Sequence, residues 1–151
     1  MEHEGYTPSE MSDFMNKECG LLGVSGLSSD CRDLGEAILA GHKRAKLAED
    51  ILTYQIKKYI GSYAAAMGGL DAVVFTAGIG ENRDEIRAAA CEGLEFLGIK
   101  IDPVVNEQTH QQSNNVRIST DDSKIPVYVI PTNEEYVIAN DTDRIVHSLK
   151  N

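Results

Sequence analysis

Asp71-Ala-Val-Val-Phe-Thr-Ala-Gly-Ile-Gly-Glu-Asn82 changes character at its midpoint. Residues 71–76 form a short, nearly continuous apolar run, β-branched and preceded by Gly68-Gly69. That pattern predicts a strand buried on both faces. Residues 77–82 bring two glycines and a polar end, so the chain turns here from strand towards helix. In open α/β sheets, ligands bind at the carboxyl ends of strands, where helices begin. Gly78 and Gly80 allow close approach to the main chain, and the following helix offers N–H groups to a phosphate or ribose oxygen. A plainer reading stands beside this one. Asn82-Arg83-Asp84-Glu85 fits a capping box, in which Asn82 accepts from the residue 85 N–H and Glu85 reaches back. A dinucleotide fingerprint fails at Arg83, which occupies the place of the third glycine. No G-x-x-x-x-G-K-[ST] run occurs, so the phosphate loop of that type is absent.

Upstream, Ala45, Ala48, Leu52, Ile56, Tyr59 and Tyr63 recur at steps of three and four, with Lys46, Glu49, Asp50, Thr53 and Lys57 opposite them. This periodicity predicts a long amphipathic helix that lays its apolar stripe on a sheet and stops at Gly68-Gly69. Gly20 to Asp30 is too apolar for a linker and too rich in glycine for a regular helix, which predicts an ordered loop near a site. Residues 1–20 read as a helical connector whose helix starts at Thr7-Pro8-Ser9-Glu10, and residues 21–151 as one domain. Downstream, a second helix is expected from about Arg83 to Phe96, ended by Gly98. Lys100-Ile101-Asp102-Pro103 resembles a strand end, and the polar residues 105–116 a mobile surface segment. Val127-Tyr-Val-Ile130 is a buried strand that Pro131 breaks, followed by a final helix over about 133–149. Helices alternating with buried strands imply an α/β fold with a partly parallel sheet.

The 151 residues suffice for one domain with a core. Acidic residues outnumber basic ones, 24 to 14, which argues against nucleic acid or an anionic membrane as partner. Cys19, Cys31 and Cys91 show no metal or disulfide spacing, and the four histidines are scattered. A zinc site is not expected, and a reducing cytoplasm fits. No apolar run reaches the length of a membrane span, and the amino terminus is polar, unlike a signal peptide.

A second strand-to-helix turn, Ile130-Pro-Thr-Asn-Glu-Glu135, contains Thr132-x-x-Glu135, another capping box. Glu134 is then left without a local partner. An acid in a first helical turn suits the helix dipole. The alternative role is a carboxylate aimed at a magnesium–phosphate complex, since magnesium takes one or two carboxylates, waters and phosphate oxygens.

Four segments resemble acetate kinases in order: Leu21 to Asp33, Phe75 to Asn82, Cys91 to Gly98, and Ile130 to Glu135. The likeness runs from about residue 6 to residue 148. It implies the second half of a two-domain kinase of the acetate and sugar kinase, heat-shock protein and actin type (an actin-like ATPase, ribonuclease H-like, α/β fold). It implies ATP plus acetate giving ADP plus acetyl phosphate with Mg2+, in a homodimer formed largely through this half. By resemblance, Asp30, Cys31 and Arg32 match the contact near the base and ribose, with no special chemistry for the Cys31 side chain. Gly78, Ile79, Gly80, Glu81 and Asn82 match the loop that holds the adenosine end, and Glu134 matches the magnesium-linked glutamate.

The family's acetate-clamping arginine, catalytic aspartate, transition-state histidine, second arginine and phosphate-gripping loop lie upstream of the matched stretch, and nothing in residues 1–20 resembles them. Phosphoryl transfer depends on positioning and charge neutralisation. The expectation is therefore a nucleotide-binding part that is inactive alone. Two other readings stay open: an assembly module with incidental nucleotide binding, and the same half of a butyrate or propionate kinase.

Overall fold

The computed structural model describes residues 5–110 and 113–149. The elements run α1 (Pro8–Lys17), α2 (Leu21–Ser25), α3 (Cys31–Leu39), α4 (Lys43–Met67), β1 (Val73–Phe75), α5 (Ala77–Asn82), α6 (Asp84–Cys91), a 3-10 turn (Glu95–Leu97), α7 (Pro103–Gln108), β2 (Val116–Arg117), β3 (Val127–Val129) and α8 (Glu134–Leu149). They fall into two compact units, residues 1–70 with 86–93, and residues 71–85 with 94–151. No helix of the described residues is long and apolar enough to cross a membrane.

The first unit is helical. Thr7 caps α1 in a capping box with Glu10, and Pro8 sits at the first position, as its sequence suggests. The backbone N–H of Thr7 donates to the Glu10 carboxylate and holds that carboxyl below its usual range. The core is Leu34, Ala45 and Ala48, with Leu21, Val24, Ala37 and Ile38 against it. In this unit α4 packs on α2 and α3 through the end that carries Ala45 and Ala48. The small Ala45 and Ala48 allow that close approach, and Thr53, placed on the polar face by periodicity, is buried. Tyr59 and Tyr63 are each 59% exposed, so these two positions of the stripe do not face the core, although Ala64 beside them is buried. Gly68 ends α4 with φ +77°, a left-handed conformation that favours glycine.

Residues 20–30 are not wholly loop, because Leu21–Ser25 form a helical turn. Its carbonyl end is tied from outside: the Arg44 guanidinium donates to Val24 O at 2.8 Å and Gly23 O at 3.1 Å. Buried Ser25 organises the next bend of the chain, accepting at Oγ from the N–H groups of Leu27 and Ser28.

The second unit holds a three-stranded sheet of order β1-β3-β2. β1 and β3 are parallel, pairing Val73 with Val127 and Phe75 with Val129, and β2 is antiparallel to β3. The partly parallel α/β sheet is therefore present. Phe75, Leu94, Ile99, Ile118, Val127 and Val129 are buried. The expectation of burial on both faces fails for β1, where Val74 is 49% exposed; in β3, Val127 and Val129 share one buried face and Tyr128 on the other is half-buried. Lys100–Pro103 make only an isolated bridge at Ile101, and the carboxylate of Asp102 caps α7. The expected helix over 83–96 is shorter, ending at Cys91, with the 3-10 turn after it. Residues 105–116 are not simply a surface segment. Asn106 and Thr109 are buried, and the Asn106 amide donates to Asp84 O at 2.9 Å. Residues 111 and 112 of that stretch lie outside the described residues.

Candidate functional site

β1 and β3 point the same way, so their carboxyl ends and the turns after them lie together at one edge of the sheet. The last rung is the Ile130 N–H donating to Phe75 O at 2.9 Å. Pro131 has no N–H to extend the ladder, and both chains leave the sheet there. The space between the turns is a cleft of about 410 Å³ lined by Ala77, Gly78, Thr132, Asn133, Glu134 and Glu135.

The first turn is tighter than its sequence suggests. Residues 77–82 are a six-residue helix, not an open loop. Ala77 enters it at φ +59°, in the left-handed region that L side chains rarely adopt. The two glycines have different jobs. A Cβ on Gly80 would stand 3.1 Å from Phe75 C, so Gly80 lets α5 press on β1. A Cβ on Gly78 would meet no atom within 4 Å, and Gly78 lines the cleft. Asn82 closes α5, its amide donating to Gly78 O at 3.0 Å. The capping box expected at 82–85 is displaced, because Asn82 belongs to α5 and α6 starts at Asp84.

The second turn differs in a way that matters. Asn133, not Thr132, caps α8: its side-chain oxygen accepts from the Tyr136 N–H at 3.0 Å. Thr132 instead turns to the first turn, and its N–H and hydroxyl both donate to Glu81 Oε1 at 2.9 Å. Glu135 therefore has no capping-box role and lines the cleft beside Glu134. The elimination that singles out Glu134 falls, and only the resemblance distinguishes the two acids. Neither carboxylate makes a hydrogen bond or ion pair among the described residues, where no group of three or more His, Cys, Asp or Glu is gathered to hold a metal. A pair of exposed carboxylates suits an ion that draws its other ligands from water and phosphate.

Asp30, Cys31 and Arg32 lie in the first unit. Asp30 caps α3, accepting from the Arg32 N–H at 2.8 Å. Its carboxylate also pairs with the Arg32 guanidinium at 2.6 Å, which raises the guanidinium pKa further. The Arg32 side chain is 86% exposed, whereas Cys31 is buried. Exposure makes Arg32 the most accessible of the three, with the Asp30 carboxylate partly exposed beside it. Cys91 is buried, and desolvation pushes its thiol up to about 12 against a small opposing effect of Lys57. It is a packing residue, not a nucleophile.

The family model described as Acetokinase family matches residues 1–140. An acetate kinase of Thermoanaerobacterium thermosaccharolyticum is 54% identical over 151 residues, covering 99% of this chain and 37% of the relative. That of Dictyoglomus turgidum is 53% identical over 146 residues, covering 97% and 35%. Among solved structures, the acetate kinase of Porphyromonas gingivalis shares 49% identity at a TM-score of 0.87, covering 97% of this chain and 36% of that one. A propionate kinase of Francisella tularensis shares 36% identity at a TM-score of 0.77, covering 89% and 33%. The chain thus spans little more than a third of the length of the curated relatives it matches. On the family match and these identities, the chain belongs to the acetokinase family.

Proposed function

We propose that this chain is the carboxy-terminal, nucleotide-binding part of an acetate kinase, with an actin-like ATPase half-fold, and that it turns over no acetate by itself. The observation that carries the reading is the cleft at the carboxyl ends of two parallel strands, lined by Gly78 on one turn and by Glu134 and Glu135 on the other. Gly78 leaves room for a ligand against the main chain. By resemblance, the α5 residues hold the adenosine end of ATP or ADP, and Arg32 with Asp30 meets the base and ribose. Glu134 would hold Mg2+, which when bound neutralises phosphate charge; the donor set fits, since oxygen ligands suit this cation. The chain's own residues shape the cleft and present carboxylates to its edge. None of them is assigned to clamp acetate or to stabilise the transferring phosphoryl group.

The reaction of the whole enzyme, ATP plus acetate to ADP plus acetyl phosphate, then needs residues outside this stretch. A cytoplasmic setting and a homodimer belong to the same reading. The exposed Leu47, Ile51, Tyr54, Tyr59, Tyr63 and Met67 of α4 support self-association. They equally favour a second reading, in which assembly is the chain's main work and nucleotide binding is incidental. Titration of ADP by calorimetry, with and without magnesium, separates the two. Millimolar or tighter binding supports the first reading, and no heat at millimolar ADP supports the second. A coupled assay for acetyl phosphate tests the silence of the chain. Turnover comparable to a full-length relative would refute it.

A further inference from the structure

We propose that Glu81 is a positioning residue, a latch that holds the turn before α8, and with it Glu134, at the cleft. The resemblance groups Glu81 with residues that touch the nucleotide. Its carboxylate is instead engaged with protein: Oε1 receives both the N–H and the hydroxyl of Thr132, 51 residues away in sequence. The need for such a tether comes from the chain path. Backbone pairing of β1 with β3 reaches the Ile130 N–H and Phe75 O. Pro131 supplies no donor, so sheet hydrogen bonding cannot place Asn133, Glu134 and Glu135, which line the cleft. The next hydrogen-bonding residue is Thr132, and its two donors converge on Glu81. Glu81 itself stands on α5, which Gly80 seats against the Phe75 backbone. The path from strand to cleft carboxylate is thus Phe75, Gly80, Glu81, Thr132, Glu134.

Charge argues the same way. A carboxylate aimed at an anionic nucleotide repels it, whereas one satisfied by two local donors, with hydrogen bonds strengthened by its charge, costs the site less. The claim that the latch sets metal–nucleotide affinity rests on the cleft being the nucleotide site; the claim that it fixes the turn does not.

Amide hydrogen exchange on the whole, ligand-free chain tests the latch by mass spectrometry of peptides covering residues 131–137. Glu81→Ala and Thr132→Val should each speed exchange there by about tenfold or more, the scale set by losing hydrogen bonds to a charged group. Glu81→Gln keeps an acceptor oxygen in place and should stay within about threefold of the parent. Peptides from α3 and α4 serve as the folding control. Unchanged exchange at 131–137 in both the Ala and Val variants overturns the latch, as does a Gln variant as fast as the Ala variant. Titration with ADP, with and without magnesium, then reads the consequence. Glu81→Ala should lose the magnesium-dependent gain in affinity, and Glu81→Gln should retain most of it. If the parent chain binds no ADP in either condition, the nucleotide reading falls, and the exchange data alone decide whether the latch stands.

Discussion

Gly78 and Gly80 are two residues apart on α5 and should respond in opposite ways to the same substitution. Gly80→Ala brings a methyl carbon to 3.1 Å from Phe75 C and 3.4 Å from Phe75 Cα. Unstrained carbon contacts lie near 3.5–4.0 Å, so α5 must lift from β1 by roughly half an ångström. Overpacking of this kind costs about 1–3 kcal/mol, and removal of a helical glycine returns about 0.5–1 kcal/mol. The expected net change is therefore a loss of up to about 2.5 kcal/mol, centred on about 1 kcal/mol, read from urea unfolding midpoints. Gly78→Ala meets no neighbour within 4 Å and should be neutral or up to about 0.5 kcal/mol stabilising. Gly78→Leu extends the test to function. It places a side chain in the 410 Å³ cleft and should weaken ADP binding at least about tenfold, or 1.4 kcal/mol, while the unfolding midpoint stays near that of the parent. Two results refute the reasoning. A Gly80→Ala chain more stable than the parent would deny the close α5–β1 packing. A Gly78→Leu chain that binds ADP like the parent would place the nucleotide elsewhere.

The cysteines and the cap of α8 give further tests. Cys19 is exposed while Cys31 and Cys91 are buried, so a thiol reagent should label Cys19 rapidly in the native chain and the other two only on unfolding, as mass spectrometry after timed quenching would show. The Cys91 thiol, ordinarily near 9.0, stands near 12 when folded. The folded chain thus holds this proton more tightly. The stability linked to it is complete well below pH 9 and lost as pH climbs towards 12, about 1 kcal/mol between pH 9 and pH 10. Cys91→Ala should flatten the unfolding-midpoint profile in that window, and parallel profiles would refute the assignment. Asn133→Ala should destabilise the start of α8 by about 1 kcal/mol, seen as faster amide exchange at residues 134–137, because Asn133 is the cap.

Features legible in the sequence are those whose cause is local. The helix start at Thr7-Pro8, the stop at Gly68 and the apolar strand at 127–130 each carry their cause within a few residues. Short helices do not. α2 and α5 have five and six residues, too few to offset the cost of nucleation by local hydrogen bonds. They are stable through Arg44 on the carbonyls of α2 and through the glycine contact of α5 on Phe75, neither of which leaves a periodic trace. The two misplaced capping boxes share another origin. The spacing Thr-x-x-Glu or Asn-x-x-Glu specifies a cap only once the first helical residue is known, and each helix begins one residue later than those boxes require. The consequence reaches the site, because the spacing assigns Glu135 to a cap and so removes it from the cleft. No local rule separates Glu81 from its neighbours, since its partner is Thr132.

Asp30 and Arg32 show how such an error would enter an experiment. A double alanine variant looks like a clean test of the ribose contact, but Asp30 is also the cap of α3. Asp30→Ala should cost the first unit about 1 kcal/mol, and a loss of nucleotide affinity in the double variant would mix local fraying with a lost contact. Arg32 carries no such duty. Its side chain is 86% exposed, and its ion pair with Asp30 is open to water, which screens it. A ligand can therefore recruit the guanidinium at little cost to the fold. Arg32→Ala should leave the unfolding midpoint unchanged within about 0.5 kcal/mol and weaken ADP binding, whereas Asp30→Asn retains a capping oxygen and removes only the charge. If Arg32→Ala binds ADP as the parent does, Arg32 has no part in the nucleotide contact, whatever the double variant shows.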